Sequence, residues 1–283
     1  MKKEREEILQ SVVNASGFVF QLGIEHRIRE TRSLHRWDVL AREHPWSVGD
    51  RSGFIDLILE QGIVRLVIEC KRPRDASWVF LVPAGGPEQA TRCRAQWADA
   101  SPGMPDLLGW DDFSVSPAST ESEFCLIRGQ GEGDRSLLER LSADLVQSLP
   151  SLANDDFQVA ASTRFSNQWI YVPVIVTTAK LEICRFSSGD VDLREGTLEQ
   201  TSFESVPFLR FRKSLAHGLN PHVRASSLSD ITADKMRTIL VVNSEHLPEF
   251  LNNWNIGSLN RWVSEWPWTI ARRLIQRASA ESR

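Results

Sequence analysis

The stretch "GFIDLILEQGIVRLVIECKRPRD", Gly53 to Asp75, reads as two apolar strands, 52–60 and 63–71, joined at Gln61-Gly62. A glycine in a two-residue connection between apolar runs is a hairpin signal. Three charges, Asp56, Glu69 and Lys71, interrupt the hairpin where Val or Ile would pack better. With the turn at Gln61-Gly62, Asp56 stands opposite Val67. Side chains alternate along a strand, so Val67, Glu69 and Lys71 share a face with Asp56, while Ile68 and Cys70 point away. Glu69 is then the diagonal neighbour of Asp56, with alpha carbons roughly 7–8 Å apart. Two carboxylates so placed repel, and one is driven to protonate unless they share a cation. Mg²⁺ suits them: it takes oxygen ligands at about 2.0–2.1 Å and keeps several waters. Lys71 would lie beside those waters. The plain structural alternative is a surface hairpin with a Glu69–Lys71 salt bridge and a solvated Asp56. "LVIEC" is apolar on both faces, which favours a central strand covered on both sides.

Asp56, Glu69-Cys70-Lys71 thirteen residues later, and Gly53 ahead of the aspartate resemble the PD-(D/E)xK nuclease superfamily, the restriction-endonuclease-like fold. The resemblance covers residues 1 to about 80 and extends through a helix at 134–149 and a strand at 169–178. It implies that Asp56 and Glu69 hold a metal, that the backbone carbonyl of Cys70 completes that side, and that Lys71 orients or activates the attacking water. A further acid often comes from the first helix or the strand after it. Glu7 and Glu25 are the candidates, with Glu25 preferred at the end of an expected core strand. The family's proline is missing, since Phe54 and Ile55 precede Asp56. The implied activity is Mg²⁺-dependent phosphodiester hydrolysis, with Mn²⁺ as a substitute ion, leaving a 5′-phosphate and a 3′-hydroxyl. DNA ranks ahead of RNA as substrate, in a setting of repair, restriction or defence. The alternative is a catalytically silent nuclease-like fold that acts as a nucleic-acid-binding or assembly module.

Beyond the motif, Arg72 and Arg74 of "KRPRD" are candidate contacts to flanking phosphates, which would give salt-sensitive, sequence-blind affinity. Trp37, Trp46 and Trp78 read as core anchors ahead of base-stacking platforms. The loop "GQGEGDR", 129–135, lacks the GK[ST] of a phosphate-cradling loop, and His217 and His222 lack a metal or catalytic context.

Upstream, residues 3–16 suggest a helix closed by Gly17, and "FVFQLGIEHRI" reads as a strand carrying Glu25. Residues 31–50 read as a connection with a short helix. Downstream, "GPEQATRCRAQWAD" reads as a short helix, and 99–122 as an insertion with a linker-like "SVSPASTES". "EFCLIRG" reads as a strand. "GDRSLLERLSADLVQSL" is a helix with Asp134 as its cap and Leu137, Leu138, Leu141, Leu145 and Val146 as its apolar stripe. Strands follow at "WIYVPVIVTTA", "KLEICRF", "FESVPFLRF" and "RTILVVN", then a helix at "LPEFLNNW" and a Trp-bearing amphipathic tail.

The expected core order is helix, strand, hairpin, helix, strand: an α/β fold with a central mixed sheet flanked by helices. Residues 1–179 form this core, and 180–283 a C-terminal strand and Trp-rich helical extension packed on it. The tail's tryptophans, Trp254 among them, are expected to fold back on the strands. A surface for a homodimer or a partner protein is the other reading.

The 283 residues are 41 % hydrophobic and 25 % charged, ordinary globular values, with a net charge of −4. That charge gives no overall pull on nucleic acid but leaves room for a local basic cleft. Cys70, Cys93, Cys125 and Cys184 form no CxxC pair, which argues against a zinc ribbon and fits a reducing compartment. "MKKEREEILQ" lacks the apolar core of a signal peptide, and no apolar run approaches the ~20 residues of a membrane helix. The expectation is a soluble cytoplasmic protein with no membrane partner.

Overall fold

The computed structural model describes residues 2–73, 77–85, 89–101, 105–127, 137–162, 167–198, 200–215, 226–257, 269–273 and 275. In chain order, three helices open the fold: α1 (Lys2–Ala15), α2 (Gly17–Glu30) and α3 (Arg32–His35). Then come β1 (Asp38–Val48), β2 (Arg51–Gln61), β3 (Val64–Lys71), β4 (Ser77–Pro83), β5 (Ala90–Ala100), β6 (Leu107–Ser119), β7 (Glu121–Ser122) and β8 (Phe124–Ile127). Helix α4 (Leu137–Ala161) precedes β9 (Asn167–Thr177), β10 (Lys180–Phe186), β11 (Val191–Asp192), β12 (Thr197–Leu198), β13 (Ser202–Val206) and β14 (Phe208–Ser214). The remainder is α5 (Leu228–Asp234), β15 (Met236–Asn243), α6 (Leu247–Asn253) and β16 (Asn255–Ile256), with a last helical stretch at 269–273.

The main sheet runs β1-β2-β3-β9-β15-β14-β7, with β5, β6 and β16 joining along the other half of the β9 edge. It is mixed: β1, β2 and β3 are antiparallel, whereas β9 is parallel to both β3 and β15. The fold is thus α/β, with a central mixed sheet between helices. One face packs Leu57, Leu66, Ile68, Val172 and Val174 under α2 and α6. The other packs Ile58, Val67, Tyr171 and Ile175 under Leu145, Leu149 and Leu152 of α4. Covered on both faces, β3 and β9 are largely apolar runs, with Arg65, Glu69 and Lys71 the charged exceptions in β3. The C-terminal strands β14 and β15 extend this same sheet. A second sheet, β13-β10-β4-β8, continues from the ends of β3 and β9.

Several sequence expectations change. "FVFQLGIEHRI" is helix, not strand, and Gly17 opens α2 instead of closing α1: Ser16 caps it, its Oγ accepting from the Phe18 N–H at 3.1 Å. The buried positions Gln21, Ile24, Glu25 and Ile28 repeat at helical spacing. The first core strand is instead β1, within the segment expected to be a connection. "GPEQATRCRAQWAD" is not a helix; its described part lies mostly in β5, where Cys93, Ala95 and Trp97 alternate into the core. The expected insertion and linker at 99–122 hold β6 and β7. Trp97 lies so close over Gly109 that a side chain there would meet the indole at 2.6 Å. The cap Asp134, the 129–135 loop, His217, His222 and Trp262, Trp266 and Trp268 lie outside the described residues.

Trp37, Trp46 and Trp78 are buried core residues, which removes them as base platforms. Trp254 is buried as well, its ring 6.1 Å from those of Trp37 and Phe250, so it is spent on the fold and does not face a partner. Among the described residues, no helix is long and apolar enough to cross a membrane.

A candidate metal site at the open end of the β2–β3 hairpin

The hairpin turns at Gly62-Ile63, not at Gln61-Gly62: Gln61 pairs with Val64, and Gly62 takes the left-handed φ of 60° that the turn requires. Moving the turn by one residue changes each pairing by two, so every side chain keeps its face. The ladder runs from Gln61–Val64 to Leu57–Ile68. By that register Asp56 would come opposite Glu69 instead of diagonal to it, but the pairing ends at Leu57–Ile68. There the strands part, and the Cys70 N–H donates to Asp56 Oδ2 at 2.6 Å. The Asp56 carboxylate thus takes the place of a ladder carbonyl.

A twist in β1 and β2 turns Asp56 that way. Arg42 pairs with Leu57, and both look toward α2: Arg42 reaches Glu25 at 3.4 Å, and Leu57 packs with Ile24 and Ile28. Two residues on, His44 pairs with Ile55, and both look toward α4: His44 meets Asp155 at 3.0 Å, and Ile55 packs with Leu145 and Leu149. Residues two apart on a regular strand share a face. The reversal occurs at Glu43, a non-glycine residue with φ 49°. Buried Gln21 of α2 ties this point down, its Nε2 donating to Glu43 Oε1 at 2.5 Å and to the Asp56 carbonyl at 2.9 Å.

The electrostatics follow from crowding acids in a half-buried place. Burial raises the Asp56 carboxyl to about 6; the Cys70 N–H and Lys71 pull it down and Glu43 pushes it up. Glu69 is raised further, to about 8, by burial and then by Asp56, with Asp144 and Glu43 adding and Lys71 opposing. Burial holds the Cys70 thiol well above its ordinary range, so only its main chain is available to a hard cation. Glu69 also borders a cavity of about 400 Å³ between the β1–β2 turn and α4, whose walls include Trp46, Arg51 and Asp144.

The structure therefore brings Asp56, Glu69, Cys70 and Lys71 together. Glu25 is placed otherwise: it accepts from Arg29 at 2.8 and 3.0 Å and from Arg42 at 3.4 Å. The acid whose charge acts on both Asp56 and Glu69 is Glu43, which the sequence reading missed. Glu7 is exposed on α1, in a different cleft. Arg72 is exposed and hydrogen-bonds the Asn14 carbonyl, while Arg74 lies outside the described residues.

Among the described residues, no three His, Cys, Asp or Glu side chains converge as a ready metal cage. Mg²⁺ needs less, one or two carboxylates and its own waters. Two neighbouring carboxyls whose charged forms are disfavoured without a cation fit that requirement. No protein family, curated protein or solved structure matches the chain.

Proposed function

We propose that the chain is a metal-dependent nuclease that hydrolyses phosphodiester bonds, with DNA ahead of RNA as substrate and the PD-(D/E)xK superfamily as its kin. The observation that carries this reading is the neighbouring pair Asp56 and Glu69, both with raised carboxyl pKa values, beside Lys71 where the hairpin opens. The order α2, β1, β2–β3 hairpin, α4 and β9 supports it further once α3 and the inserted strands β4–β8 are set aside, since it follows the expected helix, strand, hairpin, helix, strand order.

Asp56 and Glu69 would hold Mg²⁺ or Mn²⁺, with the Cys70 carbonyl and Glu43 nearby. When bound, the metal supplies Lewis-acid polarisation of the phosphate and a water of lowered pKa. Lys71 contributes a compact positive charge to the phosphate oxygens, where negative charge grows as the bond to phosphorus forms. The Cys70 N–H fixes one oxygen of Asp56, which leaves Oδ1 to face the ion. A catalytically silent nuclease-like module is the alternative reading, and the absence of a three-ligand cage among the described residues is the observation in its favour.

The test is cleavage of supercoiled, linear and single-stranded DNA, and of RNA, with Mg²⁺, Mn²⁺ or EDTA, by wild type, Asp56→Ala and Lys71→Ala. Metal-dependent cutting lost in both variants is expected. If nothing is cut, calorimetry decides. Metal binding abolished by Asp56→Ala would leave an enzyme that needs a partner or special substrate, and no metal binding would leave the silent module.

A further inference from the structure

Helix α1 is amphipathic but turned the wrong way for an ordinary surface helix. Its apolar residues Ile8, Leu9, Val12 and Val13 are 50–63 % exposed. Glu7, Gln10, Ser11 and Asn14, at helical spacing, instead line a cleft of about 1030 Å³ between α1 and the sheet. Burying the apolar stripe would be the default, so the polar stripe needs a polar occupant.

The opposite side of the cleft is built by a break in two strands. β3 ends at Lys71, in register with Thr177 at the end of β9, and the pair restarts, again parallel, as β4 and β10 with Ser77 beside Lys180. Arg72, Ser77, Thr178 and Lys180 line this side. Both cations are exposed, and among the described residues neither is ion-paired to a carboxylate. Arg72 also fastens α1 through the Asn14 carbonyl, which holds the cleft's two sides together. Arg72, which lines the cleft, follows Lys71 directly in the chain.

We infer that this cleft binds a single strand of nucleic acid through its sugar–phosphate backbone, with Lys180 and Arg72 on the phosphates and the amides and hydroxyls of α1 on sugar and phosphate oxygens. The inference rests on the nuclease reading for its choice of ligand. Its volume lies at the upper end for clefts that hold one small ligand, which suits a few nucleotides of one strand and not a duplex. Among the described residues no aromatic side chain lines it, and a grip on the sugar–phosphate backbone is indifferent to sequence. Among the described residues Glu7 is the one carboxylate on the wall, and it works against affinity.

The test is fluorescence anisotropy of labelled single-stranded DNA of two unrelated sequences, and of a matching duplex, with the full chain in EDTA. Salt dependence reads the phosphate contacts, at a slope of about 0.7 per contact on a single strand. Wild type is expected to bind both single strands alike and more tightly than the duplex. Lys180→Glu should weaken binding and lower the slope by about 0.7 or more. Gln10→Lys and Glu7→Gln, at exposed helix positions where folding is not at stake, should tighten it. Slopes and affinities unchanged in all three variants, a preference for the duplex, or no binding would overturn the inference. Because EDTA removes any need for metal or turnover, the two readings fail separately. Strand binding with these responses but no cleavage removes only the catalytic reading, and cleavage with unaltered binding removes only this one.

Discussion

The raised Glu69 carboxyl makes stability itself a reporter of the site. A carboxyl whose folded pKa is about 8 against 4.5 unfolded keeps its proton in the native state while the unfolded chain releases it. The folded state therefore binds more protons between those values, and stability falls as pH rises from 4.5 toward 8. At about 1.4 kcal/mol per pH unit the penalty is capped near 5 kcal/mol. Partial solvent access and relaxation around Asp56 reduce this to about 2–3 kcal/mol. Glu69→Gln keeps the shape and removes the titration. In EDTA at pH 8.5 the variant should melt above wild type by roughly 5–10 °C, at about 2–4 °C per kcal/mol for a chain of this size, and at pH 5 the two should coincide. Adding Mg²⁺ at a hundred times its Kd should return about 2.7 kcal/mol to wild type and nothing to the variant. Melting curves across pH, with and without Mg²⁺, make the comparison. A difference between the proteins that does not change with pH would refute the argument, because it would mean that Glu69 is not held protonated by its surroundings.

Glu43 occupies a left-handed backbone position that disfavours an L side chain by about 1–2 kcal/mol. Glu43→Gly should hold or raise the urea midpoint while weakening Mn²⁺ binding about tenfold in calorimetry; a clear loss of stability would refute the idea that strain is kept there for the carboxylate. Gln21→Met leaves Glu43 Oε1 and the Asp56 carbonyl without their donor and should cost about 1–3 kcal/mol in urea unfolding. Gly109→Ala forces a methyl against the Trp97 indole and should cost about 1–3 kcal/mol by the same measurement, with metal binding unchanged. Arg65→Met strands Asp156, which pairs with Arg65 and accepts from the Tyr171 hydroxyl at 2.6 Å. Losing one side of that buried pair should cost about 3–5 kcal/mol, far from the site and without effect on metal binding.

What could be read from the residues and what could not divides along a physical line. The hairpin was legible because its signals are local: a glycine turn and two apolar runs, with the face of each charge preserved under a one-residue error in the turn. The strands β9 and β15 were legible for the same reason, being short runs of β-branched residues buried on both sides. Helix α2 was misread because the apolar residues that suggest a strand, Phe18, Val19 and Leu22, are the exposed ones, while its buried line passes through Gln21 and Glu25. A polar residue buried for a tertiary purpose erases the hydrophobic period. The third acid was hidden by the same cause at a different level. Nothing in "AREHPW" announces a left-handed residue, since only the partnership of Gln21 with Glu43 and with the Asp56 carbonyl makes that conformation worth holding. Glu25 was preferred because it stood at the end of an expected core strand; in the helix it lies one turn past Gln21 and is paired with Arg29 and Arg42. The motif thus names the two carboxyls, and the packing of one helix on one irregular strand decides which third acid lies near enough to act on them.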